Sequence, residues 1–265
     1  MKNINSVDFV KFSKTNYKFD KSVYLSKFIS DESYRISYTL DELTESIFEK
    51  ESILKLNQLA DINQGIALKG DKTLSIRKSN DNNNYYKVLD GRNINKYSIN
   101  WVDTYLDYSL DRIHSCKTKT IFETKEKLFF RRVSANLMFT YDDEKHFALN
   151  TLVVVNIKEG KKEEVQLKYL LAVLNSSLMQ HIYKHKFKST KTVFSEIQAK
   201  SVGLLPIKSI LLEGQDVFSN KVNQILSLKK SNPESDTTKL EAEIDQMVYN
   251  LYGLTAEEIA VIENS

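Results

Sequence analysis

"EKLFFRRVSANLMFTYDDEKHFALNTLVVV", residues 126–155, decides the fold. Its apolar residues come in short blocks rich in aromatic and β-branched types, and polar turns separate them, the second being the acidic "DDEK". The stretch reads as three strands, "KLFFRRVS", "LMFTYDD" and "TLVVVNI". Two adjacent arginines, Arg131 and Arg132, interrupt the first strand. Successive strand residues point to opposite faces, so the two cannot serve one ligand unless the strand bulges. One arginine is expected to face a ligand and the other to form a structural ion pair.

Strand signals also precede this stretch. "LADINQGIAL", "YYKVLDG" and "INWVDTYLDY" are bounded by Gly, Asn and Asp clusters, and the polar "SNDNNN" at 79–84 reads as an exposed loop. Over residues 165–185 the period changes. Leu167, Leu170, Leu171, Leu174, Leu178 and Ile182 fall at steps of three and four, which predicts an amphipathic helix of about five turns packed on the sheet. "VGLLPIKSI" follows as a short apolar segment ending near Pro206. "QDVFSNKVNQILSLKK" and "DTTKLEAEIDQMVYNLYGL" then read as two helices around the break "SNPESD". Thr255 with Glu258 has capping-box spacing and predicts a last short helix. Near the start, Leu43, Ile47 and Leu54 in "DELTESIFEKESILKL" have helical spacing and predict a short helix entering the main body.

The expected fold class is α+β: a mixed or mainly antiparallel sheet core, one long packed helix and a C-terminal helical hairpin. The expected organisation is a connector over 1–55, a recognition domain over 56–209 and the helical hairpin over 210–265.

The 265 residues are enough for one large domain with attachments. No apolar run approaches the roughly 20 residues of a membrane span, and the start "MKNINSVDF" lacks a signal-peptide core, so a cytoplasmic protein without a membrane partner is expected. The single cysteine, Cys116, excludes an internal disulfide and a multi-cysteine zinc site, and reads as an ordinary free thiol. A net charge of +3 does not by itself indicate nucleic acid. Its distribution says more: residues 31–51 are acidic, whereas "KHKFKSTK" at 184–191 carries four lysines and no acid, giving the molecule a basic side.

Catalytic patterns are thin. "GIALKGDKT", residues 65–73, imitates a phosphate-binding loop, but Asp71 stands between Gly70 and Lys72 and no apolar helix follows, so it reads as a glycine-containing turn. Asp111, Glu123 and Lys125 match a loose metal-dependent nuclease pattern, two carboxylates for the ion and a lysine beside the attacking water. Such triplets arise by chance in a chain with 28% charged residues. His181 and His185 share a helix face but lack a third ligand and a general-base carboxylate between them. No nucleophile elbow is present. What remains is cations interleaved with aromatic, hydroxyl and amide groups in "FFRRVS", "YKHKFKSTKTVF" and "SIRKSNDNNNYYK", the groups that hold phosphates and read base edges.

The order of segments carries a resemblance. "LADINQGIALKGDK", "VLDGRNINKYSINW", "EKLFFRRVSANLMFTYDDEKHFALNTLVVV", "LKYLLAVLNSSL", "FSEIQAKSVGLLPI" and "IDQMVYNLYGLTAEEIAVIE" follow one another as landmarks do in the TaqI-like C-terminal specificity domain of adenine-N6 DNA methyltransferases and fused type II restriction–modification enzymes. The chain resembles that domain and not the whole enzyme: its two prolines, Pro206 and Pro233, are not adjacent, so an Asn-Pro-Pro-Tyr type motif is missing. The resemblance implies a target-recognition module that binds double-stranded DNA and positions a separate adenine-N6 methyltransferase domain or subunit, possessing no catalysis or cofactor of its own. S-adenosylmethionine would bind the partner, and restriction, where it accompanies modification, would be a partner's activity. It also implies scaffold roles for Leu174, Asn175 and Ser176 and for Leu205, Pro206 and Ile207. Asn175, an amide in an apolar helix, is expected to bond the backbone of a neighbouring segment.

Base contacts do not transfer between members that read different sequences. On chemistry alone the expected DNA-binding residues are Lys69, Arg77, Lys78, Arg92, Arg131, Lys186, Lys188, Ser189, Thr190 and Lys191, with Arg131 as the DNA-facing member of its pair. Two alternatives stand beside this reading. One is the Asp111/Glu123/Lys125 nuclease, and the other a protein-interaction module of a restriction–modification complex using Ile244, Met247, Val248 and Leu251.

Overall fold

The computed structural model describes residues 6–12, 17–24, 42–80, 85–188 and 196–265. The chain divides into two units, Met1–Glu42 and Leu43–Ser265. In the first, Ser6–Phe12 pairs antiparallel with Tyr17–Tyr24, with a register shift between Phe9 and Val10.

The second unit is built on a four-stranded antiparallel sheet in the order Phe139–Asp142, Lys127–Arg131, Leu152–Ile157, Ala60–Gln64. Three of these strands come from the stretch that opened the sequence reading. Phe129 sits opposite Thr140 on one side and Val154 on the other. Alternation then separates the residues into two cores. Leu128, Phe130, Val153 and Val155 enter one, whereas Phe129, Leu152 and Val154 enter the other. Both faces of the sheet are buried, which is why "LFF" and "VVV" are continuous apolar runs and not alternating ones.

Helices cover the first face. Leu170, Leu171, Leu174, Leu178 and Ile182 join Phe218, Val222 and Ile225 of the helix Leu212–Ser231, and Ile244 and Val248 of the helix Thr238–Leu251, in one core. The capping box forms: Thr255 Oγ1 accepts from the Glu258 N–H and Glu258 Oε2 accepts from the Thr255 N–H at 2.8 Å, opening the helix Ala256–Glu263. Tyr252 ties this region to the strand Pro206–Lys208, donating to the Pro206 carbonyl at 2.8 Å and accepting from the Lys208 N–H at 3.0 Å.

The expected five-turn helix over 165–185 is interrupted. It runs Leu167–Leu174, breaks at Asn175–Ser176, resumes as Ser177–Ile182 and widens into a π-type turn over Tyr183–Phe187. The break has identifiable causes. The Asn175 amide donates to the Phe139 carbonyl at 3.0 Å and accepts from the Phe139 N–H at 2.9 Å, meeting the expectation for that residue. Ser176 caps the second piece through the Met179 N–H, and Asp245 accepts from both the N–H and the hydroxyl of Ser177 at 2.7 Å.

The second face carries a small mixed sheet, ordered Phe147–Ala148, Tyr86–Leu89, Tyr105–Leu106, Ile76–Arg77, with the first pair parallel and the others antiparallel. Gly65 permits a close crossing beneath it. A Cβ there would run into the carbonyl oxygen of Leu149. Gly70, at φ +57°, is the turn expected in "GIALKGDKT".

A charged pair is set inside the second unit. Lys127 and Asp142 have fully buried side chains, with Nζ and Oδ2 2.6 Å apart, and Asp142 Oδ1 lies 2.6 Å from His146 Nδ1. Burial pulls the Lys127 ammonium below its usual value. Burial also works to raise Asp142, but the hydrogen bond from His146 and the charge of Lys127 hold it below the usual carboxylate range.

Candidate nucleic-acid interface

On the small-sheet side a cleft of about 730 Å³ is lined by Lys72, Lys78 and Arg92 together with Thr73, Asn93, Asn100, Val102 and Thr104. Local chemistry builds each wall. Asp71 caps the turn Lys72–Leu74 by accepting from the Thr73 N–H at 2.9 Å, so the carboxylate that spoiled the phosphate-loop pattern serves its own backbone and Lys72 stays exposed. Lys78 follows the strand Ile76–Arg77 and donates to Thr104 Oγ1 at 3.3 Å.

Arg92 stands on the turn Gly91–Asn93, where Asp90 Oδ1 accepts from the Arg92 N–H at 2.7 Å and Asn93 Oδ1 accepts from the Asp90 N–H at 2.7 Å. Its guanidinium reaches back to Asp90 Oδ2 at 2.8 Å while the side chain remains 92% exposed. The hydrogen bond from Arg92 holds Asp90 below the usual carboxylate range against the opposing effect of burial, and the charge of Lys72 adds to it. Asp90, the acid in the cleft wall, is therefore ionised and already engaged, and the open charges of the cleft are positive.

The arginine pair separates as alternation requires. Arg132 forms an ion pair with Glu196 through Nε and donates to the Asn150 carbonyl at 3.2 Å. Arg131 is half-buried on the other face, where its Nη2 donates to the Ile94 carbonyl. A Cβ on Gly91 would meet Arg131 Cγ at 3.5 Å, so Arg131 lies under the turn that presents Arg92 and does not line the cleft.

The other expected contacts are spread out. Arg77 is half-buried against Asp107 at 3.4 Å and donates to the Thr73 carbonyl at 3.1 Å, bracing the Lys72 turn. Lys69 is exposed beyond the strand Ala67–Leu68, where its N–H donates to the Arg112 carbonyl. Lys186 and Lys188 form a separate group. Lys186 pairs with Glu45 at 2.7 Å over the ring of Phe48, and Lys188 donates to the Ala135 carbonyl at 3.0 Å. Ser189, Thr190 and Lys191 lie outside the described residues. Sequence reading passed over Lys72, Asn100 and Val102. Lys72 stood in a motif set aside for its failed spacing, and nothing local marks the other two.

Asp111 is exposed in the turn Leu110–Arg112, Glu123 pairs with Lys119 at 2.9 Å, and Lys125 borders a different groove, between Glu126 and Lys168. Among the described residues no three His, Cys, Asp or Glu side chains are grouped to hold a metal ion, and the rings of His181 and His185 stack 4.3 Å apart. Also among the described residues, no helix is long and apolar enough to cross a membrane.

Comparison with known proteins gives three findings. Residues 86–207 match the model of the TaqI-like C-terminal specificity domain. Among solved structures, the chain is similar to the HsdS subunit from Thermoanaerobacter tengcongensis, at 13% identity and a TM-score of 0.39 over 81% of this chain and 50% of that one. It is also similar to a chain from a study of complex assembly and conformational transition of the type I R-M system, at 12% identity and a TM-score of 0.40 over 81% of this chain and 51% of that one. The chain thus spans about half the length of these structures, and no curated protein matches it. The matched stretch, residues 86–207, holds Arg92, Asn100, Val102 and Thr104 of the cleft, so this part of the chain is similar to the TaqI-like C-terminal specificity domain.

Proposed function

We propose that this chain reads the sequence of double-stranded DNA in the cytoplasm and positions a separate adenine-N6 methyltransferase domain or subunit of a restriction–modification system. The chemistry on the base then belongs to the partner, which binds S-adenosylmethionine and extrudes the adenine. Residues 56–209 would form the recognition domain and 210–265 the helical hairpin that packs on it.

One observation carries the reading. Lys72, Lys78 and Arg92 converge on a single cleft with two amides, hydroxyls and one exposed apolar side chain, and Arg92, both amides and that apolar residue lie within the stretch similar to a specificity domain. Cations on phosphates fix the register of a duplex, and amides and apolar groups read its bases. Arg77 and Arg131 act behind this surface, holding the Lys72 and Arg92 turns, and Lys69 extends it. Lys186 and Lys188 are candidates for contacts beyond the cleft.

Fluorescence titration of the full chain against a pool of 30-bp duplexes tests the proposal. Three phosphate contacts give log K falling with log salt at a slope near −3, at about −0.9 per contact. Replacing Lys72, Lys78 and Arg92 together by Ala should reduce the magnitude of the slope by about 2.7. Binding that is absent at every salt concentration, or equally salt-dependent in the triple variant, rejects it.

A further inference from the structure

We propose that Asn100 and Val102 are the base-reading pair of this cleft, Asn100 taking an adenine through its amide and Val102 packing on the C5-methyl of a neighbouring thymine. The assignment rests on the DNA reading above and adds to it the residues that decide which base pairs are preferred.

Backbone geometry singles out the two. The segment from Asn100 to Thr104 alternates: Asn100 and Val102 line the cleft, while Trp101 turns to the opposite side and lines a separate groove with Tyr97 and Glu144. Trp101 is anchored there, edge-on to Tyr105 at 5.1 Å with its Nε1 donating to the Thr104 carbonyl at 2.9 Å. The Asn100 backbone is held on both sides by Asn93, whose carbonyl accepts from the Asn100 N–H at 2.7 Å and whose amide donates to the Asn100 carbonyl at 3.1 Å. The Val102 carbonyl accepts from Thr104 Oγ1 at 3.0 Å, and Asp103 at φ +47° makes the tip of the turn. Neither reading side chain must wait for its loop to order.

Of the two amides in the cleft only one is at liberty to read. Asn93 uses its oxygen on the Asp90 N–H and its nitrogen on the Asn100 carbonyl. The exposed Asn100 side chain has no partner among the described residues. An unconstrained carboxamide offers one donor and one acceptor side by side, the complement of adenine N7 and N6 in the major groove. Val102 is 49% exposed. A singly exposed valine is unremarkable by itself. Here it shares a cation-ringed cleft with the uncommitted amide, and an apolar contact is how a thymine methyl is distinguished.

Selection of the full chain on a randomised duplex pool, followed by base analogues in the enriched duplex, tests the assignment. The enriched motif should contain A·T pairs. Replacing one adenine by 7-deazaadenine, which lacks the N7 acceptor, should weaken wild-type binding about tenfold and leave Asn100→Ala no weaker than on the parent duplex. Replacing one thymine by uracil removes only a methyl and should weaken wild-type binding about fourfold, a sensitivity that Val102→Ala loses. Thermal denaturation of both variants should match wild type, because both side chains are exposed. A motif without A·T pairs, or analogue penalties that persist in the variants, overturns the assignment and leaves the DNA reading standing. Failure of the wild-type chain to bind any duplex overturns both.

Discussion

At the scale of single residues, the clearest test of the architecture is Asn175. Its amide bonds both the N–H and the carbonyl of Phe139 on an edge strand of the sheet, and the same carbonyl also accepts from the Tyr97 N–H at 3.1 Å. Asn175→Ala leaves the buried Phe139 N–H unpaired and should destabilise the protein by about 1–3 kcal/mol in urea denaturation. Asn175→Asp keeps the acceptor but faces the Phe139 carbonyl with a second oxygen, so it should not rescue. Asp142 gives a pH-dependent counterpart. Its folded pKa is depressed, so its contribution is complete above the ordinary carboxylate range and is lost as pH falls through the lower folded value. Asp142→Asn leaves Lys127 buried without its counter-charge. The variant should lie about 3–5 kcal/mol below wild type at neutral pH, and the gap should close as the medium is acidified. A gap that stays constant down to strongly acidic pH contradicts the ion-pair account.

At the scale of elements, what was legible followed from local signals. The strands around Leu128–Phe130 and Leu152–Val155 were readable because short apolar, β-branched and aromatic blocks bounded by turns have few other solutions. That both sheet faces are covered was not readable, since a continuous apolar run does not say what lies on each side. The helical stripe from Leu167 to Ile182 was likewise correct in every buried position, yet its break depends on Phe139 and Asp245, 36 and 68 residues away in the chain. Gly65 shows the same limit. Read as a turn glycine, it is a crossing point where the backbone meets Leu149 and its N–H donates to the Leu152 carbonyl at 2.9 Å. Gly65→Ala should therefore cost about 1–3 kcal/mol by overpacking. Gly160→Ala, where an added Cβ meets nothing within 4 Å, should stay within about 0.5 kcal/mol of wild type. Equal effects in thermal denaturation would show that the close crossing is not maintained in solution.

At the scale of the whole second unit, the central sheet divides the cations into two populations. Lys78 and Arg92 belong to the side packed from Ile76, Val88 and Leu89, whereas Lys186 lies over Phe48 on the helix-covered side. The sequence placed all three on one list because charge and aromatic interleaving are local, while the cleft is made by chain segments brought together from 72 to 151. Exposure then ranks them. Arg92 keeps a side chain 92% open to solvent, but that of Lys186 is 22% exposed and its ammonium is held by Glu45 at 2.7 Å. A phosphate would have to displace that carboxylate, and the exchange gains little because one close anion replaces another. Salt titration should therefore separate the two populations: Lys78→Ala with Arg92→Ala should reduce the slope of log K against log salt by about two, and Lys186→Ala with Lys188→Ala by less than one. If the second pair instead flattened the slope as much as the first, the duplex would have to reach around the sheet edge to the helix-covered side, and the cleft would be one part of a longer track.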